Sequence, residues 1–149
     1  MSQMRRWVLV IGLIGLSSSA AMVCAAPVTE ALSTKQAAQI QAVVQAQLKA
    51  FAADDAVRAF SYATPRIRQV FGNADAFLSM VRTSYPVVYR PSSVSFFKPE
   101  KADRAWVQRA QMSDERGALW RVTYVLEQQA DRSWRINGCE VAASEGRVT

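Results

Sequence analysis

The sequence contains no histidine. Histidine titrates near neutrality and is the commonest zinc ligand. Its absence removes histidine-based acid–base chemistry, Ser/His/Asp and Cys/His nucleophile pairs and nearly every catalytic zinc site. Cysteine is almost as scarce, with only Cys24 and Cys139 in the chain. An N-terminal cut after Ala25 leaves Cys139 alone, and a lone thiol closes no internal disulfide, so stability must come from packing. The six glycines stand singly, which rules out a glycine-rich phosphate loop. Carboxylates are too scattered for a metal cage. No catalytic residue, metal ligand or cofactor can be named. Lysine and arginine form no run, and the formal net charge of +6 falls short of a nucleic-acid footprint.

A long hydrophobic run is also missing. Trp7 to Leu16 is uncharged and mostly aliphatic, but a membrane-spanning helix wants about 20 apolar residues. Arg5 and Arg6 precede this run, and the small residues of Ser17 to Ala26 follow it. Basic head, short apolar middle and small-residue exit are the build of a secretory signal peptide, so residues 1–25 are expected to be removed, with a retained anchor as the alternative. Removal leaves 16 basic against 12 acidic residues, a net charge of +4. The expected location is periplasmic or secreted, without a stable membrane anchor after processing.

What remains is half hydrophobic and carries clear punctuation. Ser33 or Thr34 caps a helix whose Ala37, Ile40, Val44, Leu48 and Phe51 fall on one stripe. The adjacent pair Asp54-Asp55 reads as capping and solvation and opens a short helix through Val57 and Phe60. Thr64-Pro65 opens a third helix with Ile67, Val70 and Phe71 on its apolar side, and Gly72 stops it. Asn73 caps a fourth helix carrying Phe77, Leu78, Val81 and Tyr85, which Pro86 ends. After Pro91 the period changes to alternation. Val94 to Phe97, Ala105 to Met112, Trp120 to Leu126 and a last run opened by Trp134 and Ile136 read as strands. Asn137-Gly138 interrupts that last run, and a β-bulge at Gly138 that adds one residue returns Cys139 and Val141 to the face of Trp134 and Ile136. Trp106, Trp120 and Trp134, one per strand, read as core. The fold class is therefore α+β. N-terminal helices cover one face of a curved antiparallel sheet of about four strands, in a single domain over 33–142 with a tail over 143–149. Such a sheet tends to enclose a small cavity beneath the long helix.

The stretches "AFAADDAVRAFSYATPRIRQVFG", "FLSMVRTSYPVVYRP" and "WRVTYVLEQQADRSWRINGC" resemble an uncharacterised bacterial family, domain of unknown function 4864. The resemblance runs from about Ile40 to Val141 and implies export and one compact domain, but no activity. More loosely, a long helix followed by a curved meander is similar to the cone-shaped folds of nuclear transport factor and ketosteroid isomerase relatives. Those folds usually insert a helix among the strands, whereas here every helix precedes the main sheet.

The stretch "YPVVYRP", Tyr85 to Pro91, is mainly a joint. Pro86 ends a helix, Pro91 holds Arg90 extended, and Val87 and Val88 suit an extended crossing. Tyr85, Tyr89 and Arg90 are left over as a candidate rim of a pocket, with Tyr62, Trp120 and Tyr124 as its candidate lining. The expected function is a non-enzymatic accessory domain that binds a small amphipathic ligand or an envelope protein, without nucleic acid. The alternatives are a histidine-free cone-fold enzyme of isomerase type, using an aspartate or tyrosine, and a weak polyanion binder at the cell envelope.

Overall fold

The computed structural model describes residues 32–147, so the expected signal peptide over 1–25 lies outside the described residues. Helix α1, Thr34–Ala52, starts on a capping box. The Gln36 amide donates to Ser33 Oγ at 3.2 Å, and the Ser33 amide donates to Gln36 Oε1 at 3.1 Å. Its stripe of Ile40, Val44, Leu48 and Phe51 is buried, as the periodicity predicts. Helix α2, Ala56–Ser61, is capped by Asp55, and α3, Pro65–Phe71, by Thr64. Gly72 then supplies the positive φ of 75° that ends α3. Helix α4, Ala74–Ser84, is capped by Asn73 and buries Phe77, Leu78 and Val81.

Three details of the helical half differ from the sequence pattern. Val57 and Val70 are 75% and 73% exposed. Successive helical residues sit about 100° apart, so burying Ala56 and Ala59 turns Val57 outward on so short a helix. Pro86 does end α4, but it also starts a one-turn helix α5, Pro86–Tyr89. Proline fits the first helical position, so Val87 and Val88 are buried in a helical turn rather than an extended crossing.

The sheet has five strands rather than about four: β1, Ser93–Phe96; β2, Glu100–Ala102; β3, Ala105–Ser113; β4, Ala118–Gln128; and β5, Trp134–Arg147. It is antiparallel in the order β1-β3-β4-β5, with β2 also pairing β3, so β1 and β2 share one edge. Strand β2 escapes the sequence pattern because all three of its residues are exposed and nothing alternates. Strand β5 continues to Arg147, so residues 143–147 belong to the sheet and not to a tail. Among the described residues no helix is inserted among the strands.

On β4 the alternation holds, with Val122, Tyr124 and Leu126 buried beneath the helices. Trp120 shares their parity but is only half-buried. It sits near the strand's start, and its indole nitrogen donates to Asp114 at 3.0 Å. Trp106 is also half-buried, while Trp134 is in the core. One register shift in β5 falls a residue before the expected Gly138: Val125 pairs Gly138 and Leu126 pairs Ile136, leaving Asn137 as the extra residue. The bulge is tied to the helical half. Thr64 Oγ1 donates to Asn137 Oδ1 at 2.9 Å, and Asn137 Nδ2 donates to Glu127 Oε1 at 2.6 Å. Backbone bonds add to the seam, Thr64 amide to Ile136 carbonyl at 2.9 Å and Ile136 amide to Tyr62 carbonyl at 2.8 Å.

Candidate functional site

Four helices and the last two strands leave a cavity of about 220 Å³ between the helical layer and the sheet. Phe51 from α1, Phe71 from α3 and Phe77 from α4 wall one part of it. Phe77 is the hub, with ring centroids 5.9 Å from Phe51, 5.3 Å from Phe71 and 5.4 Å from Phe60. Val81, Tyr85 and Val88 close the cavity from the α4–α5 side. The sheet side is made by Tyr124, Ile136, Gly138 and Cys139, which the bulge at Asn137 brings together. No carboxylate, lysine or arginine belongs to the lining.

A row of polar side chains crosses this apolar face of the sheet. Gln108 pairs Tyr124 across β3–β4, and Tyr124 pairs Cys139 across β4–β5. Gln108 is fully buried, and its amide nitrogen donates to the carbonyls of Phe97 and Arg109 at 2.6 and 2.8 Å. Tyr124 is 1% exposed, and its hydroxyl makes no well-formed hydrogen bond among the described residues, although the Cys139 thiol lies close enough to interact with it. Burial pushes the Tyr124 phenol well above the usual phenolic range, and the neighbouring Cys139 adds to the effect. Burial likewise pushes the Cys139 thiol up to about 12, against a smaller lowering by Tyr124. Both groups therefore hold their protons at neutral pH. Gln47, buried on α1, also lines the cavity and donates from Nε2 to the Ala59 carbonyl at 3.1 Å.

The residues singled out in the sequence do not form one site. Tyr85 and Tyr124 both line the cavity. Tyr89, Arg90 and Trp120 line a second recess of about 560 Å³, which Tyr85 also borders. Tyr62 faces a third hollow with Lys49 and Arg58.

The Arg90 guanidinium meets Asp54, with Nη2 donating to Oδ2 at 3.1 Å. Arg82 Nη2 donates to Asp54 Oδ1 at 3.2 Å, and the Tyr89 hydroxyl donates to the same oxygen. Both guanidinia also lie over the Tyr89 ring, at 5.2 Å for Arg82 and 4.8 Å for Arg90. The Tyr89 hydrogen bond, with help from the two arginines, holds the Asp54 carboxyl below its ordinary value. Asp54 is thus more than a solvated neighbour of the Asp55 cap. At a positive φ of 55° it ties the α1–α2 corner to α4 and α5. Sequence reasoning missed this because the partners lie 28 to 36 residues away.

Among the described residues no group of three or more acidic or cysteine side chains is placed to hold a metal ion, and no helix is long and apolar enough to cross a membrane.

The profile of a family described as "Domain of unknown function (DUF4864)" matches residues 33–149. The chain belongs to that family. A comparison with curated proteins gives no match. Among solved structures, an NTF-2 like protein of unknown function from Burkholderia xenovorans LB400 is similar to this DUF4864 domain. It shows 13% identity and a TM-score of 0.45 over 75% of this chain and 88% of that one.

Proposed function

We propose that this DUF4864 domain is an exported, non-enzymatic binding module that holds one small, mainly apolar molecule between its helices and its sheet. The cavity of about 220 Å³ carries the proposal. An apolar cavity of about 150 Å³ accommodates benzene, and drug-sized ligands occupy about 300 Å³ or more, so the fitting guest lies between these sizes. Acid–base catalysis needs a proton acceptor at working pH, and the lining offers no carboxylate. Its floor groups, Tyr124 and Cys139, stay protonated. Diffuse polyanion binding finds little support at Arg82 and Arg90, since Asp54 engages both guanidinia. Export rests on Arg5, Arg6 and the apolar run from Trp7 to Leu16, all upstream of the family match at residue 33.

Native mass spectrometry of protein purified from its own envelope tests both parts. The expected species begins at Ala26 and carries a small neutral adduct. A chain retaining Met1 in the membrane fraction would defeat export. A chain carrying no adduct, or only a protein partner, would defeat the ligand proposal.

A further inference from the structure

Resting on that proposal, we infer that Tyr85 sets the upper size of the ligand, because its ring is the partition between the apolar cavity and the larger recess beside it. Among the described residues only Tyr85 borders both spaces. On either side of it the same elements supply both walls. Helix α5 gives Val88 to the cavity and Val87 to the recess. Strand β4 likewise gives Tyr124 and Trp120, and strand β5 gives Cys139 and Val141. Cys139 and Val141 are two residues apart, about 7 Å along a strand. The two spaces therefore lie side by side on the sheet, separated by the width of one aromatic ring.

The backbone sets where that ring stands. Tyr85 lies at the junction of α4 and α5, and its amide donates to the Val81 carbonyl at 2.8 Å. Its carbonyl accepts from the Val88 and Tyr89 amides at 2.9 and 3.0 Å. These bonds fix the Cα and leave the side chain, half-buried and packed on the core, to fill the gap. With the ring in place a guest is limited to the cavity of about 220 Å³, room for a substituted benzene but not for a long tail. Beyond the ring, Pro86, Val87, Trp120 and Val141 give the recess apolar surface, so a hydrocarbon tail that passed Tyr85 would gain contact there.

Benzene, ethylbenzene and hexylbenzene test the limit. Each is titrated into the wild-type protein and into Tyr85→Ala, Tyr85→Leu and Tyr85→Phe. Amide chemical shifts of Val88 and Cys139 report the cavity, and those of Val87 and Val141 report the recess. Each buried methylene strengthens binding about fourfold. Ethylbenzene should therefore bind the wild type about tenfold more tightly than benzene. Hexylbenzene should gain nothing further, and only the cavity amides should move. In Tyr85→Ala and Tyr85→Leu, hexylbenzene should bind at least about tenfold more tightly than it binds the wild type, with the recess amides moving as well. Tyr85→Phe keeps the ring and should keep the wild-type limit. If Tyr85→Ala does not fold, Tyr85→Leu, which retains an apolar side chain, carries the test.

A wild type that binds hexylbenzene more tightly than ethylbenzene would overturn the size limit and leave the apolar-ligand proposal standing. So would a hexylbenzene affinity that stays at the wild-type value when the ring is removed. Loss of ethylbenzene binding on removal of the ring would show that Tyr85 holds the cavity up rather than dividing it, and would overturn the inference too. Failure of all three probes to shift the wild-type cavity amides would overturn the binding module itself, and the inference with it.

Discussion

Replacing Tyr124 by phenylalanine should stabilise the ligand-free protein. The ring stays, so the packing of Tyr124 among Val122, Leu126 and the α1 stripe is kept. What leaves is a hydroxyl that is buried and unpaired among the described residues. Leaving a buried polar group unsatisfied costs about 1–3 kcal/mol. The weak interaction with the Cys139 thiol is lost as well, and offsets part of the gain. The expected net is a rise of about 1 kcal/mol in unfolding free energy, or about 3–6 °C in melting temperature for a domain of this size. Urea unfolding followed by far-UV circular dichroism reads this directly, as a higher midpoint at unchanged slope. Tyr85→Phe, at a half-buried position, is the control and should stay within about 0.5 kcal/mol. A Tyr124→Phe midpoint at or below the wild-type value would refute the reasoning, because the hydroxyl would then be making a hydrogen bond worth its burial.

Alkali should destabilise the domain in a window set by Cys139. Its thiol holds its proton more tightly when folded, so that contribution is complete below pH 9.0 and fades as pH climbs toward about 12, with Tyr124 adding to the fall above pH 10.0. Stability measured across this range should decline less steeply in Cys139→Ala, and an identical slope would show that the thiol is not shielded. Trp120→Ala should cost about 1–3 kcal/mol, less than the about 3–5 kcal/mol expected for Phe51→Ala. Phe51 is 1% exposed, whereas Trp120 is half-buried beside the turn at Asp114. Chemical denaturation of the two variants checks the order, and a reversed order would put the wrong residue in the core.

The fold was legible wherever local chemistry decides structure. Ser33, Asp55, Thr64 and Asn73 cap the helices they were expected to cap, because a short polar side chain before an apolar period has few other uses. The strand from Trp120 to Leu126 and the bulge after Ile136 were readable from alternation and its interruption. Strand β2 was not readable, since Glu100, Lys101 and Ala102 are all exposed and their pairing is dictated by β3. The cavity was legible only in pieces. Tyr85 and Tyr124 do line the cavity, but Tyr62, Tyr89, Arg90 and Trp120 face other hollows. Side-chain type reveals a capacity for hydrogen bonding, while the direction of that capacity depends on which helices cross above the sheet. The Asp54 cluster and the burial of Gln47 share this cause. Both depend on residues brought together only by the finished packing.

The order of the elements has a consequence for how the chain is made. Among the described residues every helix lies before every strand, and the helical half is stitched to the sheet at Ile136, on the last strand. As the polypeptide leaves the ribosome, Ile40, Val44 and Phe51 emerge well before the sheet that completes their burial. Helices of 4 to 19 residues hold little structure by themselves in water. Completion of the seam therefore waits until the last strand has been made. Until Ile136 appears, its backbone bonds to Tyr62 and Thr64 cannot form. That delay is compatible with the export proposed above, since a chain threaded through a channel must not fold first.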